Sequence, residues 1–580
     1  MRNGKLWSAA WGKRGFILCA LILTTALSLA QSTKLSKDLQ NTPPGQSVNV
    51  IVQYYTSPTT SDATAATLVG ASNGKKLGMI KGNRYTMPAA AAAKLASLDA
   101  NVKYISPDRP LQGAMNNAVP AVNADLAHNW GYNGAGIGLA VIDSGVNPVA
   151  DLTPAGSTKS SRVVYSQNFD PSANTTADLY GHGTHIAGII AGNGTTSSCG
   201  NCNVTFVGIA PNASIINLRV LDQNGSATDS TVIAGIQQAI ALKTQYNIRV
   251  INLSLGRGVF ESYTLDPLCQ AVEQAWNAGI VVVVAAGNYG RDNSNNNNGY
   301  GTITAPGNDP YVITVGAMKT MGTPTRNDDL IATYSSKGPS MLDHVVKPDL
   351  VAPGNLIISD LASTSDTLYS AYPANVVPVT DYTSSSTSQI SSNYYRLSGT
   401  SMAAPMVSGA AALLLQQNAS LTPDQVKARL MKTAYKTFPT SSSYTDPTTG
   451  VTYTDQYDIF TVGAGYLDVA AALSNTDLAP ATSGSALSPT AVYDSTSGTV
   501  YLLNGSSVVW GSSVVWGSSV VWGTSVVWGT NTTGQSVVWG SSVVWGSSGT
   551  SGFSVIWGSS VVWGSKTNSD AMTISVGGDK

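Results

Sequence analysis

Charge is what this chain has least of. Its 580 residues include 31 Lys+Arg and 32 Asp+Glu, so only 11% are charged. Soluble domains usually carry about 25%. The formal net charge of −1 excludes the basic surplus of a nucleic-acid-binding protein. Low charge beside 43% hydrophobic residues also excludes a disordered polyelectrolyte. No apolar stretch after residue 30 reaches the ~20 residues that a transmembrane helix needs. Cysteine (4), histidine (4) and phenylalanine (7) are scarce, whereas tryptophan, at 12, is not. The length allows about three domains of roughly 100–200 residues.

The N-terminus accounts for part of the apolar content. Arg2, Lys5, Lys13 and Arg14 precede the apolar or small-residue run Gly15 to Ala30, and Ser28 and Ala30 suit a cleavage site before Gln31. This is the pattern of a secretory signal peptide over 1–30, and it predicts a secreted, extracellular protein. In an oxidising compartment the neighbouring Cys199 and Cys202 are a disulfide candidate. Cys269, on the amphipathic stretch Pro267 to Asn277, is expected to pack inward as a small hydrophobe.

Four regions follow. Residues 31–117 hold a polar leader and then a small β/α unit: a strand at 48–55, an Ala-rich helix at 89–98 and a strand at 101–106. From 118 to 474 apolar strands (137–143, 214–221, 249–255, 279–286, 310–315) alternate with helical stretches (182–192, 229–244, 265–278, 402–417). That alternation predicts an α/β fold, an open, mostly parallel sheet with helices on both faces. A Ser/Thr/Pro/Gly-rich linker (475–505) leads to a tail (506–580). There Ser-Val-Val-Trp-Gly recurs with a dominant period of six, and no charge occurs from Ser495 to Ser565.

Four motifs carry chemistry. Asp143 ends an apolar strand, and ligand sites in open α/β sheets gather at such carboxyl ends. Gly181-His182-Gly183-Thr184-His185 opens a helix. A His flanked by glycines there is expected to be exposed and unencumbered, which suits a general base, with His185 structural. Ser401, after Gly399-Thr400, starts another helix whose dipole favours an oxyanion nearby. Asn288, after Ala285-Ala286-Gly287, can donate an amide to developing negative charge. Taken singly, each has a structural reading: a strand-ending Asp, a helix-capping Ser, a turn Asn. Two other constellations are weaker. Gly134-Ala135-Gly136-Ile137-Gly138 precedes its strand rather than following it, against a dinucleotide loop. A zinc set of His182, His185, Cys199 and Cys202 has an unusual ligand order and no second pair to support it.

Together the four are far more specific. Asp143, His182, Asn288 and Ser401 follow one another at spacings of 39, 106 and 113 residues. The chain so resembles the subtilisin-like serine proteases (subtilases, peptidase S8) over 46–474. Gly208 to Pro211, Val250 to Gly256, Ser335 to Pro339, Lys347 to Gly354 and Gly463 to Asp468 add to the resemblance. It implies a serine endopeptidase with Ser401 as nucleophile, His182 as base, Asp143 as its orienting carboxylate and Asn288 in the oxyanion hole. It also implies that 46–112 is an inhibitory propeptide, of small α+β ferredoxin-like fold, made as part of a self-processing zymogen. Ser254, Leu255 and Gly256 with Ala285, Ala286 and Gly287 would wall the primary substrate pocket, Thr304 to Pro306 would lie at its far end, and Leu221 to Ala227 would pair with the substrate. Those pocket segments are uncharged, so an apolar or uncharged side chain is expected before the scissile bond.

The chemistry requires no cofactor. Many relatives bind calcium near 193–205, where this sequence has no carboxylate, so a structural calcium is left without assigned residues and the metal set is unknown. Expected partners are protein or peptide substrates and the chain's own propeptide, with no nucleic acid. The β-prone tail is a candidate for contact with a cell surface or polysaccharide. The alternative is a catalytically silent protein, or one whose main role is attachment through the tail.

Overall fold

The structure is a computed structural model that describes residues 34–40, 42–107, 114–154, 160–294, 297–384, 390–446, 449–494, 499–503, 526–531, 535–539, 569–571 and 578–579. The expected signal peptide (1–30) and most of the repeat tail lie outside them. The chain divides into two compact units, Met1–Leu111 and Gln112–Lys580.

In the first unit, β1 (Ser47–Tyr54), α1 (Thr60–Leu68), β2 (Ser72–Leu77), β3 (Gly82–Pro88), α2 (Ala89–Leu98) and β4 (Val102–Pro107) follow a βαββαβ path. The sheet order is β2-β3-β1-β4, with every neighbouring pair antiparallel. Alternation along β1 turns Val50, Val52 and Tyr54 inward, onto Ala92, Leu95 and Ile105. One face of the sheet therefore carries a small core of its own.

The second unit is built on an eight-stranded sheet. Its strands are β5 (Gly138–Asp143), β6 (Val163–Asn168), β7 (Ser214–Arg219), β9 (Ile248–Leu253), β11 (Val281–Ala285), β12 (Ile313–Lys319), β13 (Leu330–Ile331) and β14 (Leu350–Pro353), separated in the chain by two short edge segments, β8 (Ser226–Ala227) and β10 (Leu255–Gly256). The order is β13-β12-β11-β9-β5-β7-β6, with β14 also on β12. All pairs are parallel except β12 with β13. β5 and β11 are buried at every residue, as strands covered on both faces must be. Of the helices, α3 (His182–Ala191) packs with α6 (Thr400–Gln417), and α4 (Asp229–Ala241) packs with α5 (Pro267–Asn277). The fold is α/β. The chain builds β6 and β7 on one side of β5 and then crosses to β9 on the other. The carboxyl end of β5 is therefore the switch point where such sheets bind ligands.

Several boundaries differ from expectation. The strand expected to run from Ser214 to Leu221 stops at Arg219, because the N–H groups of Val220 and Leu221 both donate to the Asp143 carbonyl. Residues 114–117, expected at the end of the leader and propeptide region (31–117), belong to helix Ala114–Ala121 of the second unit, whose Ala118 is fully buried. Much of the expected linker is packed structure. Ala479 and Ala486 bury against Ala428, and the Ser488 hydroxyl lies 2.5 Å from the Asp349 carboxylate. Small side chains that suggested a flexible connection instead fill close contacts. Of the repeat tail, Val526–Asn531 and Gln535–Trp539 form an antiparallel pair. No helix among the described residues is long and apolar enough to cross a membrane.

Candidate active site

Asp143 and His182 meet at the switch point. Asp143 is the last residue of β5, and His182 is the first of α3. The His182 Nδ1 lies 2.8 Å from Asp143 Oδ1, and both side chains are fully buried. Burial is the largest influence on the ring and opposes its charge. The Asp143 carboxylate outweighs it, so the His182 pKa lies above the ordinary imidazole value. Nε2 is buried without a hydrogen-bond partner, which leaves an acceptor available on the side of the ring away from Asp143. Burial corrects the expectation of an exposed histidine. The glycines beside it permit close packing rather than access: a Cβ on Gly183 would lie 2.2 Å from the Gly145 carbonyl oxygen.

A residue missed in the sequence holds this pair in place. The buried Asp178 carboxylate accepts from Ser144 Oγ at 2.8 Å and Gly181 N at 2.7 Å through Oδ1, and from Thr184 N at 2.8 Å through Oδ2. Ser144 Oγ in turn accepts from Gly183 N at 2.9 Å. One carboxylate thus ties the turn after Asp143 to the first turn of the histidine helix. An acidic residue just ahead of a helix start is a capping signal, legible as Asp178 before Gly181.

Ser401 stands in the first turn of α6, which begins one residue earlier than expected, at Thr400. Its Oγ donates to the Ser254 carbonyl at 3.2 Å, while Ser254 Oγ donates to the Ser401 carbonyl at 2.8 Å. Asn288 Oδ1 accepts from Thr400 N at 2.9 Å and Thr400 Oγ1 at 3.1 Å, which fixes the amide plane. A Cβ placed on Gly399 would lie 3.1 Å from Asn288 Nδ2 and 3.6 Å from Ser401 N. Two N–H donors therefore border the same small space beside the serine, the arrangement that stabilises an oxyanion.

The expected pocket segments are neighbours. Ser254 leads into β10, made of Leu255 and Gly256. Arg257 and Ala305 exchange two backbone hydrogen bonds, and Thr304 N donates to the Ala286 carbonyl at 3.1 Å. Ala285 and Ala286 are buried, and a Cβ on Gly287 would meet Ser336 Oγ at 2.6 Å. Arg257, which follows Gly256, is paired with Asp229 and Asp266. His185 is buried apart from this chemistry. Its Nε2 lies 3.2 Å from the carbonyls of Ile357 and Tyr395, and burial pushes its pKa down to about 3.

A disulfide joins Cys199 and Cys202, and Cys269 is a buried free thiol. The 193–205 loop is held by protein groups: Thr196 N and Oγ1 donate to Asp151 Oδ1, and Ser197 Oγ accepts from Phe206 N. No cluster of three His, Cys, Asp or Glu side chains that could hold a metal occurs among the described residues.

The subtilase family model (peptidase S8) matches residues 134–489. Serine protease AprX of Bacillus subtilis (strain 168) is 35% identical over 353 residues, 59% of this chain and 71% of that protein. Subtilisin DY of Bacillus licheniformis is 34% identical over 316 residues, covering 54% and 90%. Subtilisin E of Bacillus subtilis (strain 168) is 30% identical over 444 residues, covering 75% and 94%. The chain belongs to the subtilase family. It is a serine-type endopeptidase, with proteins or peptides as substrates, and a catalytically silent role is not favoured.

Proposed function

We propose that Asp143, His182 and Ser401 hydrolyse peptide bonds through an acyl-enzyme, with Asn288 Nδ2 and Ser401 N receiving the oxyanion. The observation that carries this reading is the buried His182 ring, tied at Nδ1 to Asp143 and unpartnered at Nε2. With substrate in place, Ser401 Oγ turns from the Ser254 carbonyl to His182 Nε2, gives up its proton and attacks the scissile carbonyl. His182 then passes the proton to the leaving amine, and Asp143 stabilises the imidazolium. Water repeats the sequence to release the acyl group.

In this reading the protein is exported through residues 1–30 and made as a zymogen, with the first compact unit as inhibitor. The uncharged segments 254–256 and 285–287 favour an apolar or uncharged residue before the scissile bond. The reaction requires no cofactor, and a structural calcium has no assigned residues. The tail serves in contact with a cell surface or polysaccharide. Ser401→Ala tests the core of the proposal: the secreted product stays unprocessed and casein is not cleaved. Maturation and casein cleavage by the purified variant would remove Ser401 from the mechanism.

A further inference from the structure

Two short strand edges, β10 and β8, are joined through a third strand. β10 follows directly on Ser254, whose carbonyl takes the Ser401 hydroxyl. β8 ends the 221–227 segment that the resemblance to subtilases implies pairs with the substrate. Neither edge is open. The C-terminal strand Ser569–Ala571 lies between them in a three-stranded sheet. It pairs antiparallel with β10, Leu255 opposite Ala571 and Gly256 opposite Asp570. It pairs antiparallel with β8, Ala227 opposite Ser569 and Ser226 opposite Asp570. An extended peptide added between two short edges is how a protein reads a peptide ligand through its backbone.

A second contact anchors the same segment. Asp579 has a fully buried side chain. Its Oδ1 accepts from Arg291 Nη2 at 2.6 Å, and its Oδ2 accepts from Thr333 N at 2.9 Å. Asn355 grips its backbone from both sides, accepting from Asp579 N at 2.9 Å and donating to Asp579 O at 3.0 Å. Arg291 is itself held over Tyr453, 4.8 Å from the ring centroid. Gly578 fits because it has no side chain: its φ is 55°, and a Cβ would lie 2.6 Å from Ser398 Oγ. A seat that takes only glycine, followed by a buried carboxylate site, is specific for a Gly-Asp pair. Charge returns to the sequence at Lys566, Asp570, Asp579 and Lys580, after the charge-free span.

We propose that the strand Ser569–Ala571, anchored through Gly578 and Asp579, is a built-in occupant of the substrate cleft. The strand takes the place of the substrate backbone, and the Gly578-Asp579 anchor raises its local concentration there. The proposal rests on the peptidase reading of the site. An intramolecular competitor raises KM and leaves kcat alone. Three variants of the full chain test this: Asp579→Ala, which loses the anchor; Asp570→Pro, which keeps the anchor but cannot sit in the middle of a sheet; and deletion of 569–580. Each is expected to lower the KM for a chromogenic peptide by about tenfold, with kcat within about twofold. An unchanged KM in all three overturns the proposal.

Binding is also read without catalysis. A fluorescein-labelled peptide of residues 566–580 is expected to bind saturably to the 569–580 deletion, matured by its own activity and then blocked at Ser401 by a fluorophosphonate. The same peptide with Asp579→Ala should bind about tenfold more weakly. Absence of saturable binding overturns the docking. Saturable binding with no hydrolysis by any chain that retains Ser401 upholds the docking and overturns the peptidase reading.

Discussion

Asp178 offers a sharp test because its work is structural and its effect would be kinetic. Asp178→Ala strands three donors: the Ser144 hydroxyl and the N–H groups of Gly181 and Thr184. A buried unsatisfied donor costs ~1–3 kcal/mol. The Ser144 hydroxyl can rotate, so the two N–H groups set the scale at about 2–6 kcal/mol. Some of that is returned, because burial raises the Asp178 pKa and so already disfavours the carboxylate. A net loss of about 2–4 kcal/mol follows. Asp178→Asn keeps the Oδ1 side and turns an amide donor toward Thr184 N, so its loss is smaller, about 1–3 kcal/mol. Unfolding is measured by denaturant in a Ser401→Ala background, which prevents self-digestion. In the active background, loosening the turn between Asp143 and His182 lowers kcat by up to ~10²-fold, the effect of a misplacement of about 1 Å, with KM little changed. An Asp178→Ala chain whose midpoint and kcat both match the parent would refute the view that this carboxylate positions the histidine.

Other outcomes follow from the same geometry. Asn288→Ala should lower kcat by roughly 10²–10³ with KM unchanged, the usual cost of one lost oxyanion donor; an unchanged kcat in stopped-time assays would exclude the amide from the reaction. Base catalysis needs the neutral His182 ring, whose pKa is raised. The acid limb of kcat/KM should therefore lie above the free-imidazole value of ~6.5. Asp143→Asn removes the charge that raises it and should shift the limb to lower pH, and a limb that stays put would assign it to another group. Gly183→Ala drives a Cβ to 2.2 Å from the Gly145 oxygen, an overpacking that costs ~1–3 kcal/mol. Activity should fall with it, and wild-type kcat in the purified variant would count against tight packing around the histidine.

Much of the site could be read from the sequence because its signals are local. Asp143 closes an apolar run, His182 sits between glycines, and Ser401 and Asn288 each follow a glycine-containing turn. Backbone chemistry and strand or helix periodicity report such features within a few residues. Asp178 was harder to see. It lies outside the helix it caps, and its partners include Ser144, 34 residues earlier.

The sequence by itself determined the α/β alternation, the order of the catalytic candidates and the low-charge tail, since each is written in composition or short-range pattern. Tertiary structure decided the rest. It buried the histidine expected to be exposed, because neighbouring glycines let segments close on it. It turned an expected linker at 475–505 partly into packed structure, because small side chains fit a surface that only the folded body supplies. It also set Ser569–Ala571 between β8 and β10, a pairing across more than 300 residues that no local pattern encodes.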